Sequence, residues 1–266
     1  MLKNRISILI FSCDKFSDLW EANIHQLEKY WADRDVDTYI ITDKESTQKF
    51  ENVSVLATGD ELEFTQRLEF ALNYIKTEYV FITLDDYFLI EPVKNEAIES
   101  LVDFMDNENF DYVRLFKRPK KATGKKFDNY PKINMIDTNN RYSVNLYVGI
   151  WRTDFMKKTV SKIKNIWQYE VSLYKIATEL NAKCAVSHNN EFVILDVVRK
   201  GKILNKANRY LRKHNLYHGS REVQSYWYEI KLAIRTIGAR HAPTWAVNFA
   251  RNFMIKMGNH YFSQDE

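Results

Sequence analysis

The chain has 266 residues, of which 45% are apolar and 28% charged, with seven glycines and four prolines; this is a globular composition that excludes low-complexity disorder and suffices for one large α/β domain with an appendage, or two small domains. Cys13 and Cys184 are the only cysteines, which excludes a disulfide framework or a cysteine-rich zinc site and favours a reducing compartment. The net charge of +4 is uneven: residues 205–266 carry ten Lys/Arg against four Asp/Glu, a net of +6, which leaves −2 on residues 1–204.

In chain order, residues 5–11 read as a first buried strand, and their apolar run is too short for a signal peptide. Ser12-Cys13-Asp14-Lys15 is a polar turn. Ser17 or Asp18 caps a helix with Trp20, Ile24, Leu27 and Trp31 at helical spacing. Residues 37–42 form a second strand that ends at Asp43, and 53–57 a short third. Residues 63–76 form a helix with Phe64, Leu68, Leu72 and Ile75 on one face. Residues 79–84 form a strand, apolar on both faces, that runs into Asp85-Asp86. A helix over 95–105 and a strand over 111–116 follow. Residues 117–140 read as a long polar surface loop, and 142–151 as a return to the sheet. Thr153 or Asp154 caps one helix, and residues 165–180 form another. A late strand is expected over 192–198, then helices over 221–237 and 244–257. No run approaches the length of a membrane-spanning helix.

Strands alternating with helices imply a mostly parallel sheet, in which ligands bind beyond the carboxyl ends of the strands. Those ends carry Ser12 and Asp14, Asp43, and Asp85 with Asp86. Two carboxylates at a buried strand end are costly unless a cation neutralises them, and a divalent metal with a phosphate ligand suits such hard oxygen donors. Ordinary turn chemistry is the alternative for the pair. A nucleotide would have to be held by side chains and metal, because no Gly-x-Gly-x-x-Gly follows the first strand and no P-loop is present.

The Ser-Cys-Asp-Lys turn, Arg67, the segment from Glu78 to Leu89, Tyr142-Ser143, Gly149-Ile150-Trp151-Arg152, Asn165-x-Trp167-x-x-Glu170 and Gly201-Lys202 together resemble the bacterial GT-A-fold glycosyltransferases of capsule and lipopolysaccharide biosynthesis. The resemblance covers residues 6–202. It implies an α/β fold of GT-A (Rossmann-like) type, with a mostly parallel central sheet flanked by helices. That domain would span residues 1–204, with a basic helical extension over 205–266. It also implies a nucleotide-sugar donor, expected to be a UDP-sugar, a saccharide acceptor on a growing surface polysaccharide, and Mn²⁺ or Mg²⁺.

Carried over residue by residue, Asp85 and Asp86 match the acidic metal motif, here in an adjacent form, with Asp86 favoured as ligand. Ser12, Asp14 and Asp43 match contacts to base and ribose, and Arg67 a helix position that faces the sugar-nucleotide. Glu170 matches the base of inverting members, and Trp151 and Trp167 would line the acceptor side. The resemblance thus implies an inverting transfer with Asp86 and Glu170 catalytic. Glu170 near a helix N-terminus is expected to have a lowered pKa.

Plainer readings stand beside these. Trp151 and Trp167 are of a type more often found in a core than as sugar platforms, Arg67 on a polar helix face is usually solvated, and Asp43 suits a turn. His214 and His218 are four apart, and His188 stands alone; all three are weak metal candidates. Rival functions are a metal-dependent phosphoryl-transfer or hydrolase enzyme on the same Asp pair, and a non-catalytic nucleotide-sugar-binding subunit. The acidic balance of the first 204 residues argues against a nucleic-acid module. In the tail, Trp245, Phe249, Phe253 and Met257 share a helix face, suited to an anionic membrane and a lipid-linked acceptor. The same face could instead pack on the catalytic domain or on a second copy of the chain. The expected location is cytoplasmic, at the inner face of the cell membrane where the tail binds it.

Overall fold

The computed structural model describes residues 2–116, 126–127, 130–217 and 219–241. The chain divides into two compact units, Met1–Leu195 and Asp196–Glu266.

The first unit begins with β1 (Ile6–Phe11), α1 (Trp20–Tyr30), β2 (Thr38–Thr42), β3 (Ser54–Ala57), α2 (Phe64–Tyr74) and β4 (Tyr79–Leu84). It continues with β5 (Tyr87–Leu89), α3 (Asn95–Glu108), β6 (Tyr112–Arg114), β7 (Lys126–Phe127), β8 (Tyr130–Met135), β9 (Gly149–Arg152), α4 (Thr153–Thr159), α5 (Ile166–Glu179) and β10 (Cys184–Ser187). Nine strands make one sheet in the order β3-β2-β1-β4-β9-β6-β10-β8-β7. Strands β3, β2, β1 and β4 are mutually parallel, as are β6 and β10. Strand β9 runs antiparallel between β4 and β6, and β8 antiparallel to β10 and β7. This is the α/β architecture expected from the sequence, a mostly parallel central sheet flanked by helices.

The near-continuous apolar runs of β1 and β4 follow from cover on both faces. Alternate residues point to opposite faces. Ile8, Ile10, Tyr79 and Phe81 join Trp31, Leu101 and Phe104 on one side. Leu9, Phe11, Val80 and Ile82 join Leu68, Leu72, Phe155 and Leu173 on the other.

Four expectations change. Of residues 142–151, only the end enters the sheet, as β9, and Gly149 is needed there. A Cβ on Gly149 would stand 2.7 Å from Tyr112 Cε2 and 2.9 Å from the Val113 carbonyl oxygen. The supposed loop 117–140 contains β7 and β8 at one edge of the sheet, with β7 outermost and β8 between β7 and β10; β7 is two residues long, too short to show a strand pattern. Strand β10 is four residues long and fully buried, too short for periodicity to reveal. The late strand divides into β11 (Ile194–Asp196), which pairs with β5, and β12 (Val198–Arg199).

In the second unit, β12 pairs antiparallel with β13 (Lys202–Ile203). The two connecting residues, Lys200 and Gly201, have φ of 53° and 75°, as a two-residue hairpin turn of type I′ requires. Helix α6 (Asn205–His214) takes up the basic run, and α7 (Tyr226–His241) follows. The Asn205 N–H donates to Glu229 Oε1 at 2.6 Å, and its side-chain amide to the Gln224 carbonyl at 2.8 Å, so the start of α6 is tied to the first turns of α7. The helix expected over 244–257, with Trp245, Phe249, Phe253 and Met257, lies outside the described residues, and so does His218.

Candidate active site

Adjacent strands β2, β1 and β4 end together. Phe11 pairs with Ile41 on one side and with Leu84 on the other. The next residues of each chain segment are therefore neighbours, and they are Ser12, Thr42-Asp43 and Asp85-Asp86. The alternation of the sheet thus gathers four of the expected residues at one carboxyl edge.

Asp85 is 7% exposed, and its carboxylate accepts a hydrogen bond from the Ser12 hydroxyl. That hydroxyl in turn accepts the indole N–H of Trp20 at 2.6 Å. The buried N–H fixes which way the single hydroxyl proton points. Two further residues of α1 complete the grip. The Asn23 amide donates to the carbonyls of Asp85 and Tyr87, at 3.0 and 3.2 Å. The Gln26 amide donates to the Leu89 carbonyl at 3.1 Å. Trp20, Asn23 and Gln26 are all buried and recur every three residues, forming a polar stripe along a helix face otherwise apolar. This stripe holds the turn from β4 to β5. Helical spacing had assigned Trp20 only to the core; the pairing of Asn23 and Gln26 at i, i+3 on a buried face was the one available signal.

Asp43 accepts the backbone N–H of Asp14 at 2.6 Å and the Thr42 hydroxyl at 3.2 Å. Burial alone would raise its pKa. The N–H groups of Asp14 and Asp43, the Thr42 hydroxyl and the Arg67 charge outweigh burial and hold the carboxyl below the usual range. Asp14 therefore meets Asp43 through its main chain. Arg67, on α2, is neither simply solvated nor wholly given to a ligand. It donates to the Ser12 carbonyl at 2.5 Å, the Ile41 carbonyl at 3.2 Å and the Thr58 hydroxyl at 3.2 Å. It clips the ends of β1, β2 and β3 together while lying close enough to Asp43 and Asp85 to feel their charge; burial lowers its pKa and those carboxylates oppose the fall. The Cys13 thiol is pushed up, first by burial and then by Asp85 and Asp43, which marks the edge as electronegative.

Glu170 reaches the same edge from α5. Asn165 caps this helix: its side chain accepts from the N–H groups of Trp167 and Gln168 at 3.1 and 3.0 Å, and Gln168 returns the bond to the Asn165 N–H at 3.2 Å. The Asn-x-Trp-x-x-Glu spacing is thus a capping box, an exposed ring and a carboxyl one turn further in. Glu170 lies beyond the first turn, and its expected lowering is reversed. Burial raises its pKa, and a hydrogen bond from the Leu146 N–H offsets only part of this. Leu146 lies three residues before Gly149, which pairs with Ile82 on the antiparallel β9, so it sits beyond the carboxyl end of β4. Tyr147 beside it stacks with Tyr87, which follows Asp86, at 6.4 Å between centroids.

The preceding turn carries Arg141 over the Tyr142 ring at 5.3 Å. Two of its guanidinium nitrogens, Nε and one Nη, are shielded and make no hydrogen bond. Tyr142 itself has φ of 59°, a costly conformation for an aromatic residue. The resemblance included Tyr142 but not its backbone conformation, and nothing in the sequence pointed to Arg141.

Trp151 is a correction. It is fully buried on β9, its ring 3.9 Å between centroids from Tyr112 and stacked on Phe155 at 6.1 Å; it is a core residue closed off from solvent. Trp167 is 52% exposed at the start of α5. Among the described residues no cluster of three His, Cys, Asp or Glu could enclose a metal, so His188 belongs to none; His218, the expected partner of His214, lies outside those residues. Asp85 and Asp86 nevertheless fit a divalent ion of the kind held by one or two carboxylates plus the phosphates of its nucleotide. Two cavities, of about 260 and 370 Å³, lie at the opposite edge of the sheet, lined by Thr77, Glu78 and Thr153 and by Arg34, Asp37 and Phe50 respectively; they contain none of these acids.

No protein-family model and no curated protein matches the chain. Among solved structures it is similar to Staphylococcus aureus TarS residues 1–349 in complex with UDP-GlcNAc, at 17% identity and a TM-score of 0.52, covering 75% of this chain and 60% of that one. It is also similar to the mannosyltransferase PcManGT of Pyrobaculum calidifontis in complex with GDP-Man and Mn²⁺, at 12% identity and a TM-score of 0.50, covering 75% and 59%. The chain therefore spans about three fifths of these neighbours, and at such identities the likeness establishes the fold.

Proposed function

We propose that this protein is a glycosyltransferase that moves a sugar from a nucleotide-sugar donor to a saccharide acceptor with inversion. One observation carries the reading: Ser12, Asp43 and Asp85-Asp86 converge at the carboxyl ends of three adjacent strands, and Glu170 is delivered to that edge by a separate helix. The solved neighbours named above, in complex with UDP-GlcNAc or with GDP-Man and Mn²⁺, support a donor of this class.

In this reading Asp43 and Ser12 hold the nucleoside end, and Asp86 holds the divalent ion, with Asp85 kept in place by Ser12. The ion, when bound, neutralises charge that develops on the leaving diphosphate. Arg67 adds positive potential at the edge while holding the strand ends in register. Glu170 takes the proton of the attacking hydroxyl. Its raised pKa suits a base that must accept a proton near neutral pH. Trp167 offers an exposed ring one turn before Glu170 for the apolar face of the acceptor sugar. The product would extend a surface polysaccharide.

The test is a thermal-shift panel of UDP-, GDP-, CMP- and dTDP-sugars, with and without Mn²⁺. A ligand that binds only the folded state raises the melting temperature by mass action. One nucleotide class should give a metal-dependent shift that Asp86→Asn abolishes. A metal-dependent release of phosphate with no sugar acceptor would point instead to the hydrolase reading. Absence of any shift, with or without metal, would reduce the acid pair to turn chemistry.

A further inference from the structure

Over Tyr226–Ile234, helix α7 leaves its apolar side uncovered. Tyr226, Trp227, Ile230 and Ile234 are 66%, 73%, 46% and 64% exposed, and Ala233 is exposed between them. They stand at i, i+1, i+4, i+7 and i+8, which places them on one arc of a helix. Tyr228, Glu229 and Leu232, on the other side, are partly covered. Glu229 is engaged by the Asn205 N–H, so the side that carries Tyr228, Glu229 and Leu232 is the anchored one and the exposed arc faces away from it. Scattered apolar side chains on a surface need no explanation; a contiguous stripe that includes a tryptophan and a tyrosine marks an interaction surface.

Charge selects the occupant. Asp196–Glu266 carries 13 Lys/Arg against five Asp/Glu, a net of +8. In α6, Ala207 and Leu211 are buried while Lys206, Arg209, Arg212 and Lys213 are exposed. Lys231 borders the stripe on α7 and is exposed as well. A basic surface with no apolar stripe would suit nucleic acid, and an apolar stripe with no charge would suit a second protein. The combination of a basic helix with an apolar arc rich in aromatics suits a bilayer surface with anionic headgroups, where tyrosine and tryptophan rings sit at the boundary. No described helix is long and apolar enough to cross a membrane; α7 has the composition of a helix that lies on one.

We propose that this unit binds anionic lipid surfaces, with Tyr226, Trp227, Ile230 and Ile234 entering the headgroup boundary and the basic residues of α6 drawing the protein to it. The inference does not depend on the donor reading, because lipid binding is measured without any transfer reaction.

The test is co-sedimentation of the full chain with phosphatidylglycerol-containing vesicles and with pure phosphatidylcholine vesicles, across a salt series. The protein should partition onto the anionic vesicles, with salt weakening the binding. The double variant Trp227→Ser/Ile234→Ser should lower the partition coefficient about tenfold or more, and Arg209→Glu/Arg212→Glu should lower it as well. Both alter exposed residues, so an unchanged melting temperature verifies that the fold is intact. Sedimentation that is equal on both vesicle types, or insensitive to both variants, would overturn the proposal. So would a concentration-dependent dimer that dissociates in Trp227→Ser/Ile234→Ser with no vesicle binding, since a second copy would then cover the stripe.

Discussion

The two units dispose of their apolar and charged groups in opposite ways. Met1–Leu195 has a net charge of −4, what the total of +4 leaves once the +8 of Asp196–Glu266 is set apart. Its large apolar residues fill two cores on either side of the sheet, and acids are left at the carboxyl edge, where burial and main-chain N–H groups tune them in different directions: Asp43 down, Glu170 up. Among the described residues of Asp196–Glu266 the buried set is small, and Tyr226, Trp227, Ile230 and Ile234 form an exposed apolar stripe on α7. The comparison teaches that a shifted pKa needs a rigid, desolvating frame, which a nine-stranded sheet provides, whereas attachment to a surface needs only a helix whose apolar side is left wet. Chemistry is assigned to the first unit and location to the second, and the predictions set out to separate the two.

The largest effect is expected at Glu170. Glu170→Gln should lower transfer by about 10²- to 10⁴-fold, the usual worth of a positioned base, while Trp227→Ser should leave transfer to a soluble acceptor unchanged. Loss of both activities in either variant would break the division of labour. The wild-type rate should fall on acidification at a pH above the ordinary carboxylate range, because a raised pKa leaves Glu170 protonated there. The same shift has a stability consequence. The contribution of a carboxyl whose folded-state pKa is raised is full below the unfolded pKa and is lost as pH rises through the folded value. Glu170→Gln should therefore melt higher than wild type at neutral pH, and the gap should close in acid. A melting temperature lower than wild type at every pH would make Glu170 a structural group.

Next in size is Trp151. Its removal from between Tyr112 and Phe155 should cost about 3–5 kcal/mol, as for other buried large aromatics, visible as a fall in denaturant midpoint. This sharpens what the sequence could and could not convey. The alternation of elements, the buried strands and the acids at strand ends were legible because they rest on local patterns of period 2 and 3.6. The partition of the two tryptophans was not. Trp151 and Trp167 have comparable neighbours in sequence, and only the antiparallel insertion of β9 between β4 and β6 decides that one is enclosed. The Trp20–Ser12–Asp85 chain was illegible for the same reason: it joins residues 8 and 73 apart. Strand β10 was missed because four residues carry too little periodicity. The apolar arc of α7 was hidden differently, since periodicity shows that a helix has an apolar side but not whether anything covers it.

A smaller, more specific effect is expected at Ser12. Hydrogen bonds to a charged group contribute about 1.5–3 kcal/mol, and Ser12→Ala removes one from Asp85. Metal-dependent donor binding should weaken by a corresponding factor of about ten to a hundred, read as the Mn²⁺ concentration needed for half-maximal thermal shift. Trp20→Phe removes the indole N–H together with the five-membered ring of a buried side chain, so besides a packing loss it should shift the same metal requirement in the same direction by less. Ser12→Thr, which restores the hydroxyl, should recover most of it. If Ser12→Ala and Trp20→Phe lower the melting temperature but leave the metal requirement alone, the chain of hydrogen bonds is only part of the core.

The smallest effect on stability is expected at Trp167, and there the comparison between the units is tested most closely. An exposed side chain away from caps and cores changes stability by less than about 0.5 kcal/mol when truncated. The Trp167 N–H bonds to Asn165 through the main chain, so the cap survives Trp167→Ala. Yet Trp167, like Trp227, is a large exposed ring that solvent alone does not explain. If its ring meets the acceptor sugar, Trp167→Ala should raise the acceptor KM several-fold with the donor KM unchanged, and vesicle binding should stay at the wild-type level. Should Trp167→Ala instead weaken vesicle binding and spare the acceptor KM, the exposed rings of both units would belong to one lipid-facing function, and the first unit would have lost its acceptor platform.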